Sequence, residues 1–144
     1  MMSIGSRNCY DSAMAKCKLL AFLLCESASV APEPDNRVTL HHLFDRMTVP
    51  RNLEKAELVF AYYKIVVEAP CMVTLRVIDP QGREVPGNRQ HSIERTGPVQ
   101  GVWALQTGLF KEAGPYFLEL KEETDGSEPH PLASMRLIVS QESQ

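Results

Sequence analysis

The amino-acid sequence predicts an all-β protein, a single-domain antiparallel β-sandwich of the immunoglobulin-like or C2-like kind with about seven to nine strands. Three observations lead to this prediction. Short segments in which apolar and polar residues alternate recur along the chain at near-regular spacing. Clusters of Pro, Gly, Asn and Asp separate these segments, as turns require. No segment has the long apolar stripe of an amphipathic helix.

The first two strands are expected to form a hairpin. Residues 18–26 are apolar on both faces, which is typical of a strand inside a sheet. Two prolines and an Asp-Asn pair within residues 31–36 predict a turn. Residues 37–44 alternate again, so they are expected to pair with the first strand. Residues 45–55 are expected to be a connection with one helical turn near 53–55.

The middle of the chain predicts a central pair of strands followed by a weak edge. Residues 57–68 are rich in Val, Ile, Tyr and Phe, which favours a strand over a helix. Residues 71–79 alternate cleanly, and the Asp-Pro-Gln-Gly sequence that begins at Asp79 predicts a β-turn. Residues 83–85 predict a short return strand. The polar residues 89–95 predict an edge strand whose charges discourage edge-to-edge pairing.

The last third of the chain predicts three more strand segments. Residues 99–106 contain Gly101, which is expected to mark a bulge or a close approach of backbone. Residues 109–120 enter a strand through a Gly-Pro pair, and Tyr116 just after it is expected to be a corner tyrosine that bonds nearby backbone. Residues 132–140 close the predicted fold.

The chain is expected to hold one domain, because its 144 residues suit a single core. Residues 1–13 lack an apolar period and predict a disordered extension. Residues 14–140 predict the β-sandwich, and residues 141–144 a tail. Met14 is a natural beginning for the domain.

Charge and apolar runs exclude two classes of partner. The net charge of −3 argues against nucleic-acid binding, which needs a basic surface. The apolar run at residues 19–25 is too short to span a bilayer. A cytoplasmic location is therefore expected. The alternative is export, since Lys16 and Lys18 precede the run and residues 29–31 could form a cleavage site.

The four cysteines form no Cys-x-x-Cys pair. They are expected to be reduced thiols in the cytoplasm, with Cys25 and Cys71 as small core residues. No P-loop, nucleophile-elbow or metalloprotease motif occurs, so no catalytic residue and no cofactor is predicted.

The spacing of the histidines does not predict a metal site. Adjacent residues of a strand point to opposite faces, so His41 and His42 cannot bind one metal in regular geometry. His42 shares a face with Leu40 and is expected to be a buried or half-buried histidine. His41, His42, His91 and Trp103 remain only weak ligand candidates, and no metal is predicted. Asp79 could belong to a calcium loop but is better explained as a turn residue.

Four short motifs carry a resemblance to a known family: Leu23-Leu24-Cys25-Glu26, Val38-Thr39-Leu40, Leu75 to Gly82, and Gly114 to Leu120. The pattern, over residues 19–139, resembles a family of small bacterial proteins known only as a domain of unknown function. The resemblance implies a bacterial β-sandwich and supports Met14 as the functional beginning. It implies no activity, substrate or catalytic residue. The N-terminal extension and the His41-His42 pair depart from the family pattern.

The function expected from the sequence is a non-enzymatic module that binds another protein or itself. Its tentative interaction surface is Leu58, Phe60 and Tyr62, if these side chains extend beyond the core. The second hypothesis is a small-ligand or carbohydrate-binding sandwich that uses Trp103 and tyrosines. The third is a metal-dependent hydrolase built from histidines and acidic loops.

Overall fold

The computed structural model describes residues 16–49, 57–123 and 128–142. These residues contain nine β-strands and no α-helix, and the strands form two sheets packed as a β-sandwich. The predicted fold class is therefore confirmed. The strands are β1 Cys17–Val30, β2 Val38–Leu43, β3 Arg46–Val49, β4 Leu58–Val67, β5 Cys71–Ile78, β6 Gln90–Ile93, β7 Gly97–Gln106, β8 Gly114–Glu123 and β9 His130–Gln141.

Sheet A has the strand order β2-β1-β4-β7, and sheet B has the order β3-β9-β8-β5-β6. Every pair is antiparallel except β3 with β9, which is parallel. The β1–β2 hairpin expected from the sequence is confirmed. The sandwich has two lateral sides: β6 and β7 close one, and β1 and β9 lie along the other.

The core lies between the sheets and follows from strand alternation. Alternate residues of β4, β5 and β8 point inward. Each fully buried Val, Leu, Ile or Phe side chain contributes about 1.5–3 kcal/mol to the stability of the fold. The largest fully buried side chains are two tyrosines in strands and one phenylalanine in the connection before β8: Tyr63, Tyr116 and Phe110. Phe110 packs edge-on against Tyr116, with ring centroids 5.1 Å apart.

Two elements near the N-terminus differ from the sequence prediction. β1 runs on to Val30, because it pairs with β4 along its first part and with β2 along its second. Residues 45–55, expected to be a connection, contain β3, which pairs in parallel with residues 138–141 of β9. The partner of β3 comes from the far end of the chain, which no local pattern shows. The helical turn expected near 53–55 lies outside the described residues.

The later elements follow the sequence prediction except at residues 83–85. The short return strand predicted there is only an isolated bridge between Ile78 and Glu84. The edge strand expected at 89–95 is β6. The lead-in to β8 is a short 3-10 turn at Thr107–Leu109. The hydroxyl of Tyr116 accepts the backbone N–H of Glu112 at 3.0 Å, so the corner tyrosine is confirmed.

The chain ends and the apolar run near the N-terminus can also be compared with the sequence prediction. The extension predicted for residues 1–13 lies outside the described residues. The last strand runs to Gln141, one residue beyond the predicted end of the sandwich. The apolar run at 19–25 lies within β1. In the three described ranges, no helix has the length and apolar character needed to cross a membrane.

Candidate interaction site

β1 has one side that is only partly paired. β4 covers one side of β1 from Cys17 to Cys25. On the other side, β2 pairs with β1 only from Cys25 to Val30, and just before this the carbonyl of Leu24 accepts the N–H of Phe44 at 3.2 Å. Within the described part of the chain, no strand pairs with this second side of β1 over residues 18–23. The main chain there is an open sheet edge, which can accept another strand.

β9 is open on the same side of the sandwich. β3 pairs with β9 only over residues 138–141. Among the residues that the structure describes, no strand covers the outer side of β9 over 130–137. The chain passes from sheet A to sheet B between β2 and β3. Both open edges lie on the same side of the sandwich as this connection. In the described ranges of the chain, each sheet therefore has an edge here that no further strand covers.

A groove of about 400 Å³ lies between these edges, and we call it the β1–β9 groove. Leu23 and Leu43 are 36% and 57% exposed, so their side chains are available to a partner. Phe22, Phe44 and Met135 are half-buried and pack against the core from inside the groove. The residues that line it are Phe22, Leu23, Leu24, Leu43, Phe44, Asp45, Met135 and Arg136.

A β-bulge interrupts the open edge of β1. The register of β1 against β4 shifts between Leu19 and Ala21. Leu20, at the bulge, is 51% exposed. A bulge twists an edge and limits the length over which a further strand can pair. The open edge is thus short.

The interaction surface expected from the sequence is only partly accessible. Leu58 is 49% exposed, Phe60 is half-buried and Tyr62 is buried. The hydroxyl of Tyr62 donates to Gln100 Oε1 at 2.7 Å, and Gln100 Nε2 donates to the carbonyl of Asn36 at 3.2 Å. The turn after β1 therefore reaches β7 beside Tyr62, and burial raises the pKa of this tyrosine.

The opposite side of the sandwich is closed by three rings. His91 of β6 stacks on Trp103 of β7, with centroids 4.3 Å apart. The hydroxyl of Tyr63 lies 2.8 Å from His91 Nδ1, and burial raises the pKa of Tyr63. Burial also lowers the pKa of His91. Trp103 and Tyr63 are buried, so neither offers a flat surface to a ligand.

Gly101 makes this closure possible. A Cβ added at position 101 would clash with the hydroxyl and ring of Tyr63. The sequence predicted a bulge or a close approach of backbone at Gly101. Instead, β7 pairs with β4 there without a register shift, and the group that approaches is the Tyr63 side chain. Only a glycine leaves room for the Tyr63 ring at this position.

His41 and His42 lie at the surface, whereas His130 is half-buried. The Nε2 of His41 lies 3.3 Å from Ser29 Oγ. His42 has a φ of 59°, which breaks strand alternation and leaves its side chain exposed instead of half-buried. No group of three or more His, Cys, Asp or Glu side chains in the described ranges is arranged to hold a metal ion.

Asp79 acts as a turn residue. Its Oδ1 accepts the backbone N–H groups of Gln81 and Arg83, each at 2.9 Å. Its Oδ2 accepts Nε of Arg83 at 3.1 Å. Partial desolvation raises the pKa of Asp79, but these donors outweigh it and the net pKa is lowered. Both carboxylate oxygens are engaged within the turn.

A buried polar cluster at one end of the sandwich was not foreseen from the sequence. The carboxylate of Glu122 is buried and accepts the N–H groups of Lys16 and Cys17 at 2.8–2.9 Å. The Sγ of Cys17 lies 3.0 Å from the Sγ of Cys71. Alternation gave Cys71 an inward position, but the approach of Cys17 depends on the register of strands from both sheets.

Comparison with solved structures supports the fold. The chain is similar to the crystal structure of the C-terminal domain of wzt, with a TM-score of 0.54 and 14% sequence identity. The match covers 90% of this chain and 77% of that one. At this identity the likeness shows the β-sandwich alone. A scan of protein-family models and a search of curated proteins gave no match.

Proposed function

We propose that this chain is a non-enzymatic binding module and that it binds through the β1–β9 groove. One observation carries the proposal: within the described residues, no strand pairs with the second side of β1 over residues 18–23, directly beside an apolar groove. An extended segment added to such an edge gains main-chain hydrogen bonds, while its alternate side chains enter the groove.

The partner we commit to is a second copy of this chain. In two copies related by a twofold axis, the open edge of β1 in one copy faces the open edge of β1 in the other. Antiparallel pairing then satisfies the β1 edge of both copies at once. The charged residues lining the groove are one acid, Asp45, and one base, Arg136. A second copy therefore adds no net charge to the interface. The bulge at Leu20 limits the pairing to a short segment, which favours a closed dimer over an open fibre.

The exposed leucines would supply the apolar part of this interface. Leu23 and Leu43 line the groove, and Leu20, at the bulge of the same strand edge, is also exposed. Burying apolar area contributes about 25 cal/mol per Å², so three leucines provide a useful share of the association energy. The main-chain pairing would fix the orientation of the two copies.

The test is sedimentation equilibrium of the full chain over a wide concentration range. We expect a reversible dimer that Leu23→Lys and Leu43→Lys each weaken at least tenfold. Val30→Lys is the matched control, because Val30 is 65% exposed on the same strand but does not line the groove. That control should leave the dimer unchanged.

Hydrogen exchange separates strand pairing from simple apolar contact. In the dimer, backbone amides within residues 18–23 should exchange more slowly than in a dilute monomer sample. A chain that stays monomeric at every concentration would overturn the proposal. So would a dimer that resists both lysine variants. A chain shortened to begin at Met14 that dimerises when the full chain does not would identify residues 1–13 as the occupant, against a second copy.

A further inference from the structure

The cysteine pair joins the two sheets at one end of the sandwich. Cys17 begins β1 in sheet A, and Cys71 begins β5 in sheet B. Their sulfur atoms are 3.0 Å apart, and the two residues are 6% and 8% exposed. A covalent disulfide has an S–S distance near 2.0 Å, so a bond between them needs a movement of about 1 Å.

The surrounding contacts hold the pair in place. The buried carboxylate of Glu122 on β8 binds the N–H groups of Lys16 and Cys17, which fixes the first residues of β1. A main-chain hydrogen bond also holds this end of β1: the N–H of Glu68 donates to the carbonyl of Lys16 at 2.7 Å. The approach of the two sulfurs is therefore part of a fixed strand end and not a chance contact of mobile side chains.

We propose that Cys17 and Cys71 form an intramolecular disulfide when the chain meets a low-molecular-weight disulfide such as oxidised glutathione. One cysteine thiolate attacks a sulfur of the small disulfide, forms a mixed disulfide and releases one small thiolate. The second cysteine thiolate then attacks the protein sulfur and releases the other small thiolate. The protein loses two protons and two electrons, and the small disulfide is reduced to two thiols.

Burial decides when this reaction takes place. Burial raises the pKa of both thiols, and the Glu122 carboxylate raises each of them further. The attacking thiolate is therefore scarce in the folded chain, and the reaction there should be slow. It should be faster while the chain folds, when the thiols are exposed and the strands bring them together. Once formed, the bond would tie sheet A to sheet B.

Peptide mapping after refolding tests the proposal. The reduced, unfolded full chain is refolded in a mixture of reduced and oxidised glutathione, free thiols are alkylated, and the peptides are analysed by mass spectrometry. We expect one linked peptide pair that joins Cys17 to Cys71, with Cys25 alkylated. The Cys25→Ser and Cys9→Ser variants serve as controls and should give the same link.

Thermal unfolding of the wild-type chain gives a second measurement that needs no variant. The oxidised form should melt about 10 °C above the reduced form, because the bond closes a long loop, and reductant should remove the difference. Recovery of Cys17 and Cys71 as free thiols, as glutathione adducts or in links to other cysteines would overturn the proposal. An oxidised form with this link that melts below the reduced form would contradict its stabilising role.

Discussion

The two lateral sides of the sandwich are built in opposite ways. On the β6–β7 side, His91 bridges the sheets by stacking on Trp103 and meeting the hydroxyl of Tyr63. On the β1–β9 side, two strand edges have no partner among the described strands over part of their length, and Phe22 and Met135 are only half-buried. One side is sealed by aromatic packing, and the other keeps apolar surface and unpaired main chain available.

This difference separates structural aromatic residues from candidate binding residues. Trp103 packs against the rings of Tyr63 and His91, and the hydroxyl of Tyr63 is within hydrogen-bond distance of His91, so packing within the fold explains both buried rings. Exposed leucines beside an open edge have no such explanation within the described residues. Aromatic content alone would direct attention to the wrong side of the molecule.

The largest effect is expected from the sealed side. Trp103→Ala should lower the free energy of unfolding by about 3–5 kcal/mol, because it empties a buried site between the sheets. Met135→Ala, on the open side, should cost only about 1 kcal/mol, since its side chain is half-buried. Urea denaturation of both variants measures the contrast. Equal costs would mean that the two sides do not differ in packing.

The next effect concerns the closeness of β7 to Tyr63. Gly101→Ala should destabilise the fold by about 1–3 kcal/mol, because the added methyl group meets the Tyr63 ring. In a Tyr63→Leu background, which lacks the ring, the same substitution should cost less. Denaturant unfolding of the four chains gives the coupling energy. Additive costs in the double variant would show that the ring is not the obstacle.

A smaller effect is expected from pH, and it belongs to His91. Burial lowers the pKa of His91 in the folded chain, so the unfolded chain binds the proton more tightly. The stability that neutral His91 provides is complete above its unfolded pKa of about 6.5. It is lost as pH falls from there through the folded pKa. Unfolding free energies measured between pH 8 and pH 5 should therefore decline less in His91→Gln than in wild type. The same slope in both chains would assign the decline to other groups.

The smallest effect on folding is expected at the open side. Leu43→Thr should change the stability of the monomer by no more than about 0.5 kcal/mol, because Leu43 is 57% exposed and threonine suits a strand. Its effect on dimer formation should nevertheless be clear. Denaturation in dilute solution and sedimentation at high concentration measure the two quantities separately. A large loss of monomer stability would place Leu43 in the core and remove it from the binding surface.

Local alternation explains why most strands could be predicted. β4, β5 and β8 each alternate over several residues, and each pairs along most of its length. β3 could not be predicted, because its four residues have no alternation long enough to recognise and its partner lies in β9. The sequence also missed the extension of β1 to Val30, where serines and alanine replace the apolar run.

The candidate site was less accessible to sequence reasoning than the fold. An open edge is the absence of a neighbour, and only the assembled sheets show it. Alternation placed Leu58, Phe60 and Tyr62 on one face, but the turn that covers Tyr62 comes from another part of the chain. Likewise, Cys71 was expected in the core, while its contact with Cys17 depends on how the two sheets align.

The parallel pairing of β3 with β9 also has a consequence for the order of events during synthesis. Among the described strands, β3 hydrogen-bonds with β9 alone. Its partner leaves the ribosome roughly ninety residues later, and such distant pairings are made slowly. All four strands of sheet A have been synthesised by Gln106, so that sheet can assemble before β3 has a partner strand. β3 can therefore pair only after β9 has been synthesised. In a nascent chain that stalls before residue 138, β3 should have no partner among the described strands.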